Sequence, residues 1–398
     1  MIANGIDFDP YHHATQEDPY PVYAALRRRA PLYRHEGRDF YALSRHADVH
    51  AAMRDPDRFS SAYGDSLDEG LWGPNAREVM SIIAMDAPEH SRIRALVSKG
   101  FTPRRVAALQ PEIRQAARRQ LAPFLQKGEF DFVAAVGDIP VHVIAELIGI
   151  PPEDRADLLR MTNLMIDYDS QTGAMPAEFW DCAGKVIEYF KALIDDRRRH
   201  PRDDLATVMA GAEVDGERLS DEEIVAMLGV LNVAGNESTT KVISNAWYQA
   251  WRSPEQKRLI WAGAIHGWVE ETLRHDNSAQ LIARLLTTDT VLHGVTVPAG
   301  SRMVLLVSSA NRDETVFDRA EEFDVRRGPE QWQKAIPFGS GPHFCLGAAL
   351  ARLTATTVLS ELVSVVDSYS LDLDGATYVH SPNLRGFASL PTSVSLRA

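Results

Sequence analysis

The sequence predicts a mainly α-helical fold of the α+β class, with small β-sheet regions and one long central helix. Three observations indicate this class. Most apolar residues repeat with helical spacing, β-branched alternation is confined to two short regions, and helices do not alternate regularly with strands. We expect one domain over residues 1–398, because no linker-like tract and no internal repeat divides the chain.

Helical patterns dominate the first half of the chain, and the first predicted helix opens at Pro21. Strand signals lie in "FYALS" near residue 40 and between Ile282 and Ser308. In the second region, runs of β-branched residues are separated by turns that contain Gly and Pro. These two regions supply the β part of the predicted fold. The early helical segments are residues 18–31, 91–101, 103–126 and 141–150.

Two later helices are apolar enough to lie in the core. The first starts at Ser220 and Glu223, which have the spacing of a capping box, and it meets no proline until Pro254. A helix of about 32 residues would be about 48 Å long, enough to cross a whole domain. The second is predicted to begin at Cys345 and to continue through "LGAALARLTATTVLSELVSVV". We expect both helices to be buried on at least one face.

The composition argues against several classes of protein. The 42 Lys and Arg residues against 55 Asp and Glu residues give a formal charge of −13, which disfavours nucleic-acid binding. The N-terminus lacks the features of a signal peptide, and no window has the roughly 18 uninterrupted apolar residues of a membrane span. The two cysteines, Cys182 and Cys345, do not make a disulfide framework. We therefore expect a cytoplasmic protein with no membrane span and no nucleic-acid partner.

One cysteine lies in an unusual context, the run "FGSGPHFCLG" at residues 338–347. Amides at a helix N-terminus stabilise an anion, so the pKa of Cys345 is expected to be lowered. Gly339 and Gly341 permit a tight turn whose free amides point at the sulfur. The residue types alone leave four possibilities open. They are a buried structural cysteine, a zinc ligand, a catalytic thiol with His343 as base, and an axial thiolate ligand of haem iron.

This run resembles the haem-binding loop of the cytochrome P450 monooxygenases, Phe-Gly-x-Gly-x-His-x-Cys-Leu-Gly, at every fixed position. The resemblance extends from "YALSRHADV" near residue 41 through "ANRD" at 310–313 to "RGFASLP" near the C-terminus. It implies the helical fold of that family and a haem b whose iron is bound by the Cys345 thiolate. The other loop residues implied to contact the haem are Phe338, Gly339, His343 and Gly347.

Two further sets of residues match motifs of this family. Glu271 and Arg274 in "EETLR", with Arg327 in "FDVRR", resemble a buried Glu-x-x-Arg pair and its third partner, which stabilise the core beneath the cysteine loop. Each charge taken alone could equally belong to a solvated surface, and the family order is what favours these roles. The residues that resemble the family's contacts to the haem propionates are His90, Arg94, Arg284 and His343.

The long helix carries "AGNESTT", which resembles the family's dioxygen-binding segment, Ala/Gly-Gly-x-Asp/Glu-Thr. The resemblance implies that Ala234 and Gly235 line a groove that admits O₂ beside the haem. It also implies that Glu237 and the following alcohol relay protons. That alcohol is Ser238, where the family has threonine; serine keeps the O–H donor and loses the methyl group that restricts the rotamer. Thr239 is a second candidate for the relay.

The resemblance implies a monooxygenase that inserts one atom of O₂ into an apolar small molecule. Electrons would come indirectly from NAD(P)H through ferredoxin reductase and ferredoxin, because the chain shows no flavin or iron–sulfur motif. Residues 99–120 contain six basic residues and one acid, and they are a candidate docking surface for an acidic ferredoxin. The arginines concerned are Arg104, Arg105, Arg114, Arg118 and Arg119.

The layout of the family implies an apolar substrate pocket above the haem, although the sequence does not identify the substrate. Its candidate walls are Trp72, Ile82, Ile83, Val230, Leu231, Leu281, Ile282 and Phe387. Two alternatives keep the haem. One is a peroxygenase driven by hydrogen peroxide, which would need no proton relay at Glu237 and Ser238. The other is a non-catalytic haem sensor or ligand carrier. We expect the protein to be a monomer.

Overall fold

A computed structural model describes residues 5–166, 179–214 and 216–397, and helices predominate over these residues. The α-helices are α1 (His13–Glu17), α2 (Tyr20–Arg29), α3 (His46–Met53), α4 (Ala76–Met80), α5 (Glu89–Val97), α6 (Pro103–Ala108), α7 (Gln110–Lys127), α8 (Phe132–Ile148), α9 (Arg155–Ile166), α10 (Phe179–Arg199), α11 (Leu205–Ala210), α12 (Asp221–Ala234), α13 (Glu237–Arg252), α14 (Pro254–Trp261), α15 (Ile265–His275), α16 (Val307–Ala310), α17 (Pro329–Trp332) and α18 (Ala348–Val365).

The strands are short and fall into one larger sheet and several small ones. They are β1 (Leu32–His35), β2 (Phe40–Leu43), β3 (Phe59–Ser60), β4 (Glu129–Asp131), β5 (Glu213–Val214), β6 (Glu217–Arg218), β7 (Ile282–Leu286), β8 (Thr290–Leu292), β9 (Val295–Val297), β10 (Arg302–Leu305), β11 (Val366–Leu371), β12 (Thr377–Tyr378), β13 (Phe387–Ser389) and β14 (Pro391–Leu396). The predicted mainly helical class with small sheets is confirmed.

The two predicted β regions meet in one five-stranded sheet of order β1-β2-β10-β7-β3. Strands β2 and β10 run parallel, and the other neighbours are antiparallel. Phe40 and Val304 pack into one hydrophobic cluster, whereas Leu43 and Leu305 pack into another. Because side chains alternate between the faces of a strand, this division means that the sheet is covered by apolar residues on both sides.

The main core is built around α13, which packs against α8, α15 and α18, while α7 packs against α8 and α18. By length and composition alone α18 could cross a membrane. Its Leu350, Val358 and Leu359 side chains are instead buried in the main hydrophobic cluster. Helix α18 begins at Ala348, three residues later than predicted, and the cysteine loop therefore precedes it.

The long central helix is interrupted, which the apolar pattern did not predict. Helix α12 ends at Ala234 and α13 begins at Glu237, with Gly235 between them. A Cβ on Gly235 would lie 3.4 Å from Ile144 Cδ1, so α8 approaches closely at this point. The Ser238 hydroxyl donates a hydrogen bond to the Ala234 carbonyl at 3.2 Å, which satisfies an acceptor at the end of α12.

Candidate active site

The run at residues 338–347 folds into a tight loop between α17 and α18. The Cys345 amide donates to the Phe338 carbonyl at 2.9 Å, which closes the loop. Gly341 has a φ of +70°, in the left-handed region. A Cβ at this position would also lie 2.5 Å from the Met53 carbonyl oxygen. Both the conformation and the close approach to α3 therefore require glycine.

The start of the loop is held from α18. The Arg352 guanidinium lies 4.6 Å over the Phe338 ring and pairs with Glu270 at 2.7 Å. Gly339 follows with a φ of +72°, a second left-handed position. This packing fixes the turn that precedes the cysteine.

The Cys345 side chain is solvent-accessible, yet protein surrounds the sulfur on most sides. This burial raises the pKa of the thiol, while the amides of Gly347 and Ala348 and the charges of Arg94 and Arg352 act in the opposite direction. The prediction of a lowered pKa is therefore wrong for the chain by itself, because desolvation of the anion outweighs the amides and arginines. The same amides and arginines would stabilise a thiolate bound to a metal ion.

The four candidate propionate contacts lie together beside the loop. The rings of His90 and His343 are 4.1 Å apart, centroid to centroid. Arg94 donates a hydrogen bond to the Phe344 carbonyl. Burial lowers the pKa of His343 to about 2, and the nearby charges of Arg284, His90 and Arg94 act in the same direction. The His343 ring is therefore neutral, and the positive potential of this region comes from the guanidinium groups of Arg94 and Arg284.

One nitrogen atom of this cationic cluster is buried without a hydrogen-bond partner among the described residues. His90 is 3% exposed, and its Nε2 atom has no hydrogen-bond partner among the described residues. Burial lowers the pKa of Arg284, an effect that Asp65 and Asp86 oppose. Guanidinium and imidazole groups of this kind form charge-assisted hydrogen bonds with carboxylates. The residues present thus fit the two propionate groups of a haem, and Cys345 lies alongside as the candidate ligand.

The structure brings Glu271, Arg274 and Arg327 into one buried network. The Glu271 carboxylate accepts from Arg274 Nη2 at 2.6 Å and from Arg327 Nε at 2.9 Å, and the three side chains are 0%, 0% and 3% exposed. The Trp332 indole donates to the same carboxylate at 3.2 Å. Arg274 also donates to the carbonyls of neighbouring loop residues. The network therefore joins α15 to the segment that leads into the cysteine loop.

The junction of α12 and α13 holds the residues predicted to relay protons. Ala234 is exposed, the Glu237 side chain is 52% exposed, and Thr239 is buried. The Ser238 hydroxyl is the more accessible of the two candidate alcohols, although it is bonded to a backbone carbonyl. Sequence reasoning missed Lys241, whose Nζ lies 3.8 Å from Glu237 Oε1. The available signal was a lysine placed four residues after the acid on an otherwise buried helix.

The candidate pocket walls divide into two groups. Ile82 and Ile83 lie in a 3₁₀ turn that packs against α12, and they are partly exposed, as are Val230 and Leu231. Trp72 is also partly exposed and stacks under the Arg302 guanidinium at 4.6 Å. The residues of the 3₁₀ turn and of α12 therefore form one partly exposed apolar surface.

The other group is packed into the core. Leu281 is 2% exposed and belongs to the cluster on one face of the sheet. Phe387 is 1% exposed and stacks on Tyr378 at 4.4 Å. Ile282 is partly buried against the cluster on the other face. Tertiary packing buries Leu281 and Phe387, and Ile282 faces the sheet cluster, so the role of these three residues as pocket walls stays a prediction.

The candidate docking arginines lie on α6 and α7, which pack against α18, the helix that follows the cysteine loop. Arg114 and Arg118 both pair with Glu361, and Arg105 pairs with Asp203. Their charge is therefore partly compensated. Among these five candidates, Arg104 and Arg119 are exposed and have no ion pair with the described residues.

Comparison with known proteins shows similarity over nearly the whole chain. The family profile described as Cytochrome P450 matches residues 266–396. Over 392 residues the chain is 45% identical to cytochrome P450 123 of Mycobacterium tuberculosis, which covers 98% of this chain and 97% of that protein. It is 35% identical over 395 residues to the vitamin D(3) 25-hydroxylase of Pseudonocardia autotrophica, with 96% and 95% covered.

The fold is also shared. The structure of cytochrome P450 CYP109Q5 from Chondromyces apiculatus matches with a TM-score of 0.89 at 32% identity, covering 98% of this chain and 99% of that one. The shared fold and these relatives define the class of protein, that of the cytochrome P450 monooxygenases. The chain belongs to the cytochrome P450 family.

Proposed function

We propose that the protein inserts one oxygen atom from O₂ into an apolar small molecule, with a haem b bound through Cys345. The observation that carries this proposal is the position of Cys345 beside the cationic cluster of His90, Arg94, Arg284 and His343. Haem bound by a thiolate supplies the oxygen-activating chemistry. The protein's own contribution is to bind that group, to exclude water and to deliver protons.

Each part of the site has a distinct task in this proposal. Cys345 would bind the iron, and the cationic cluster would bind the propionates and so set the orientation of the ring. Ala234 and Gly235 would line the O₂ groove, because neither has a side chain beyond a methyl group. Phe338, Gly339 and Gly347 would shape the side of the haem on which the thiolate lies.

Proton delivery belongs to the α12–α13 junction. Glu237 is exposed enough to accept a proton from solvent, and the Ser238 hydroxyl follows it in the chain. A hydroxyl both donates and accepts, so Ser238 can pass a proton onward when it leaves the Ala234 carbonyl. Thr239 is buried, which favours Ser238 for this role. A relay of this kind also favours O₂ with external electrons over a reaction driven by hydrogen peroxide.

The substrate is proposed to be apolar because the accessible walls around α12 are Ile82, Ile83, Val230 and Leu231. A relative in the comparison is named for hydroxylation of vitamin D(3), and steroid-like lipids are accordingly the first class to screen. Terpenoids, polyketides, fatty acids and aromatic compounds follow. Binding would be scored by the spectral change that accompanies displacement of iron-bound water.

The test uses the haem-loaded protein and its Cys345→Ala variant. We expect the reduced parent with carbon monoxide to show the strongly red-shifted Soret band of thiolate ligation, and the variant to lack it. A histidine-like band in the parent would refute the proposal. Turnover with ferredoxin, ferredoxin reductase and NAD(P)H then separates the enzyme from a haem sensor, which would give no product under any redox supply.

Several properties stay predictions. We propose electron supply from a separate ferredoxin and its reductase, one domain over residues 1–398, a monomer and a cytoplasmic location. The placement of Arg104 and Arg119 on helices that pack against α18 supports docking near the cysteine loop.

A further inference from the structure

A buried lysine lies beside the acid assigned to the proton relay. Lys241 is four residues after Glu237 on α13; its side chain is 6% exposed, against 52% for Glu237. The Lys241 Nζ atom lies 3.8 Å from Glu237 Oε1 and donates a hydrogen bond to the Phe387 carbonyl at 3.0 Å. The ammonium group thus connects the acid to strand β13, on a distant part of the chain.

The C-terminal segment leaves space for this lysine. A Cβ on Gly386 would lie 2.5 Å from the Cβ of Lys241, 2.8 Å from its Cγ and 2.9 Å from its Cδ. Any larger residue at position 386 would therefore collide with the stem of the lysine. Because the stem is confined, much of the rotamer freedom that a lysine normally has is lost before any contact with Glu237.

The charged groups that face Lys241 are Glu237 and Asp131. Asp131 caps α8 by accepting from the Val133 amide at 2.8 Å, and it also accepts from the Leu390 amide at 3.2 Å. Its carboxylate is therefore already bound by backbone amides. Burial lowers the pKa of Lys241, while Glu237 and Asp131 act in the opposite direction. Glu237 is the acid within ion-pair distance in the described structure.

We propose that Lys241 is a positioning residue for the proton relay, whose ammonium group, anchored on the Phe387 carbonyl, holds the Glu237 carboxylate at the α12–α13 junction. This inference rests on the proposed function. A glutamate four residues before a lysine has the favoured orientation for a helical ion pair. A buried cation is costly without an anion close by, and this cost opposes movement of Glu237 away from the junction. The acid is thereby kept at the junction, where it is exposed enough to accept a proton from solvent.

The first test measures coupling, defined as product formed per NAD(P)H consumed, in Lys241→Met and in a Glu237→Gln background. We expect Lys241→Met to lower coupling by about threefold to tenfold and to release more hydrogen peroxide. The loss should be smaller than the ~10²-fold effect of a positioned general acid, because the acid itself is still present. In Glu237→Gln, the same change at Lys241 should have no further effect, because the lysine acts through the acid. Lys257→Met is the matched control, because Lys257 is also a partly buried lysine with a lowered pKa but lies on α14. The coupling of the Lys257→Met variant should equal that of the parent.

Two further measurements separate positioning from general damage. Gly386→Ala should reproduce the loss of coupling, because the new Cβ displaces Lys241 without altering it. In the resting enzyme, NMR of lysine labelled at Cε should show the pKa of Lys241 falling further in Glu237→Gln, since Glu237 raises it in the parent. The carbon monoxide spectrum of each variant reports whether the haem site has formed.

The outcomes distinguish this inference from the proposed function. A parent that gives no product with any redox supply overturns the proposed function. A parent that turns over, with Lys241→Met lowering coupling equally in the Glu237 and Gln backgrounds, overturns the inference alone. The inference is also overturned if coupling is unchanged in both Lys241→Met and Gly386→Ala. It is likewise overturned if the pKa of Lys241 is the same in Glu237→Gln as in the parent.

Discussion

At the scale of single residues, the backbone of the cysteine loop decides where the Cys345 sulfur lies. Gly341→Ala should lower both stability and haem content, because a left-handed φ costs alanine about 1–2 kcal/mol and its Cβ would lie 2.5 Å from the Met53 carbonyl oxygen. Gly294→Ala is the matched control: its φ is +78°, but no atom lies within 4 Å of the added Cβ. Urea unfolding and the ratio of haem to protein measure both effects. Equal losses in the two variants would contradict a close approach of the loop to α3.

A second prediction at this scale concerns the carboxylate of Glu271, which contacts two buried arginines. Glu271→Gln removes the charge and keeps the shape, so it leaves Arg274 and Arg327 without their anion. Breaking a buried ion pair in this way costs about 3–5 kcal/mol of unfolding free energy. Glu255→Gln is the control, since the Glu255–Arg258 pair spans 3.8 Å with side chains 87% and 78% exposed, and its loss should change stability little. Urea denaturation of both variants measures this difference, and a similar loss of unfolding free energy in the two would contradict the prediction.

At the scale of elements, local signals predict where many helices and strands begin. Pro21 lies in the first turn of α2, and Ser220 with Glu223 forms the predicted capping box of α12. The interruption of the central helix was not predictable in this way. It coincides with the approach of Ile144 on α8 to Gly235, a contact between segments far apart in sequence. Hydrophobic periodicity reports on one element at a time and does not reveal such contacts.

The capping box of α12 gives a prediction for this element. Ser220→Ala removes the side-chain acceptor of the Glu223 amide and should cost about 1 kcal/mol of stability. Faster hydrogen exchange should be confined to the first turn of α12. Ser364→Ala is the control, because the Ser364 hydroxyl donates to the Glu361 carbonyl near the end of α18 and caps no amide. If the amides in the first turn of α12 exchanged hydrogen at the same rate in both variants, Ser220 would have no capping role.

At the scale of the whole molecule, the site depends on residues that only the fold brings together. His90, Arg284 and His343 come from α5, β7 and the cysteine loop, and no spacing in the sequence relates them. The sequence predicts them as one set only through the family resemblance, which implies where each segment of the chain lies relative to the haem. The same resemblance implies pocket positions for Leu281 and Phe387, but it does not specify how this chain packs its core, where both side chains are buried. It also gave no indication of Lys241, whose acceptor is a carbonyl in β13.

The distribution of charge over the molecule leads to the last prediction. The chain carries a net charge of −13, so an acidic ferredoxin is repelled overall and must approach through a local basic surface. Arg114 and Arg118 share Glu361, which leaves Arg104 and Arg119 as the more effective charges. Replacing both by Glu should slow the second-order first electron transfer by about tenfold at low salt. Because charges separated by more than the ~8 Å Debye length of 0.15 M salt are screened, the difference should shrink as salt is added.

Stopped-flow reduction by ferredoxin, measured over a range of salt concentrations, tests this surface. Arg258→Glu is the control, since Arg258 is 78% exposed on α14 and its replacement changes the charge by two units, half the change in the double variant. If net charge alone governed association, the Arg258 variant would lose half as much in the logarithm of the rate as the double variant. A local docking surface instead leaves the Arg258 variant close to the parent in rate and salt dependence. The arginines of α6 and α7 would be excluded as the docking surface if the double variant also matched the parent.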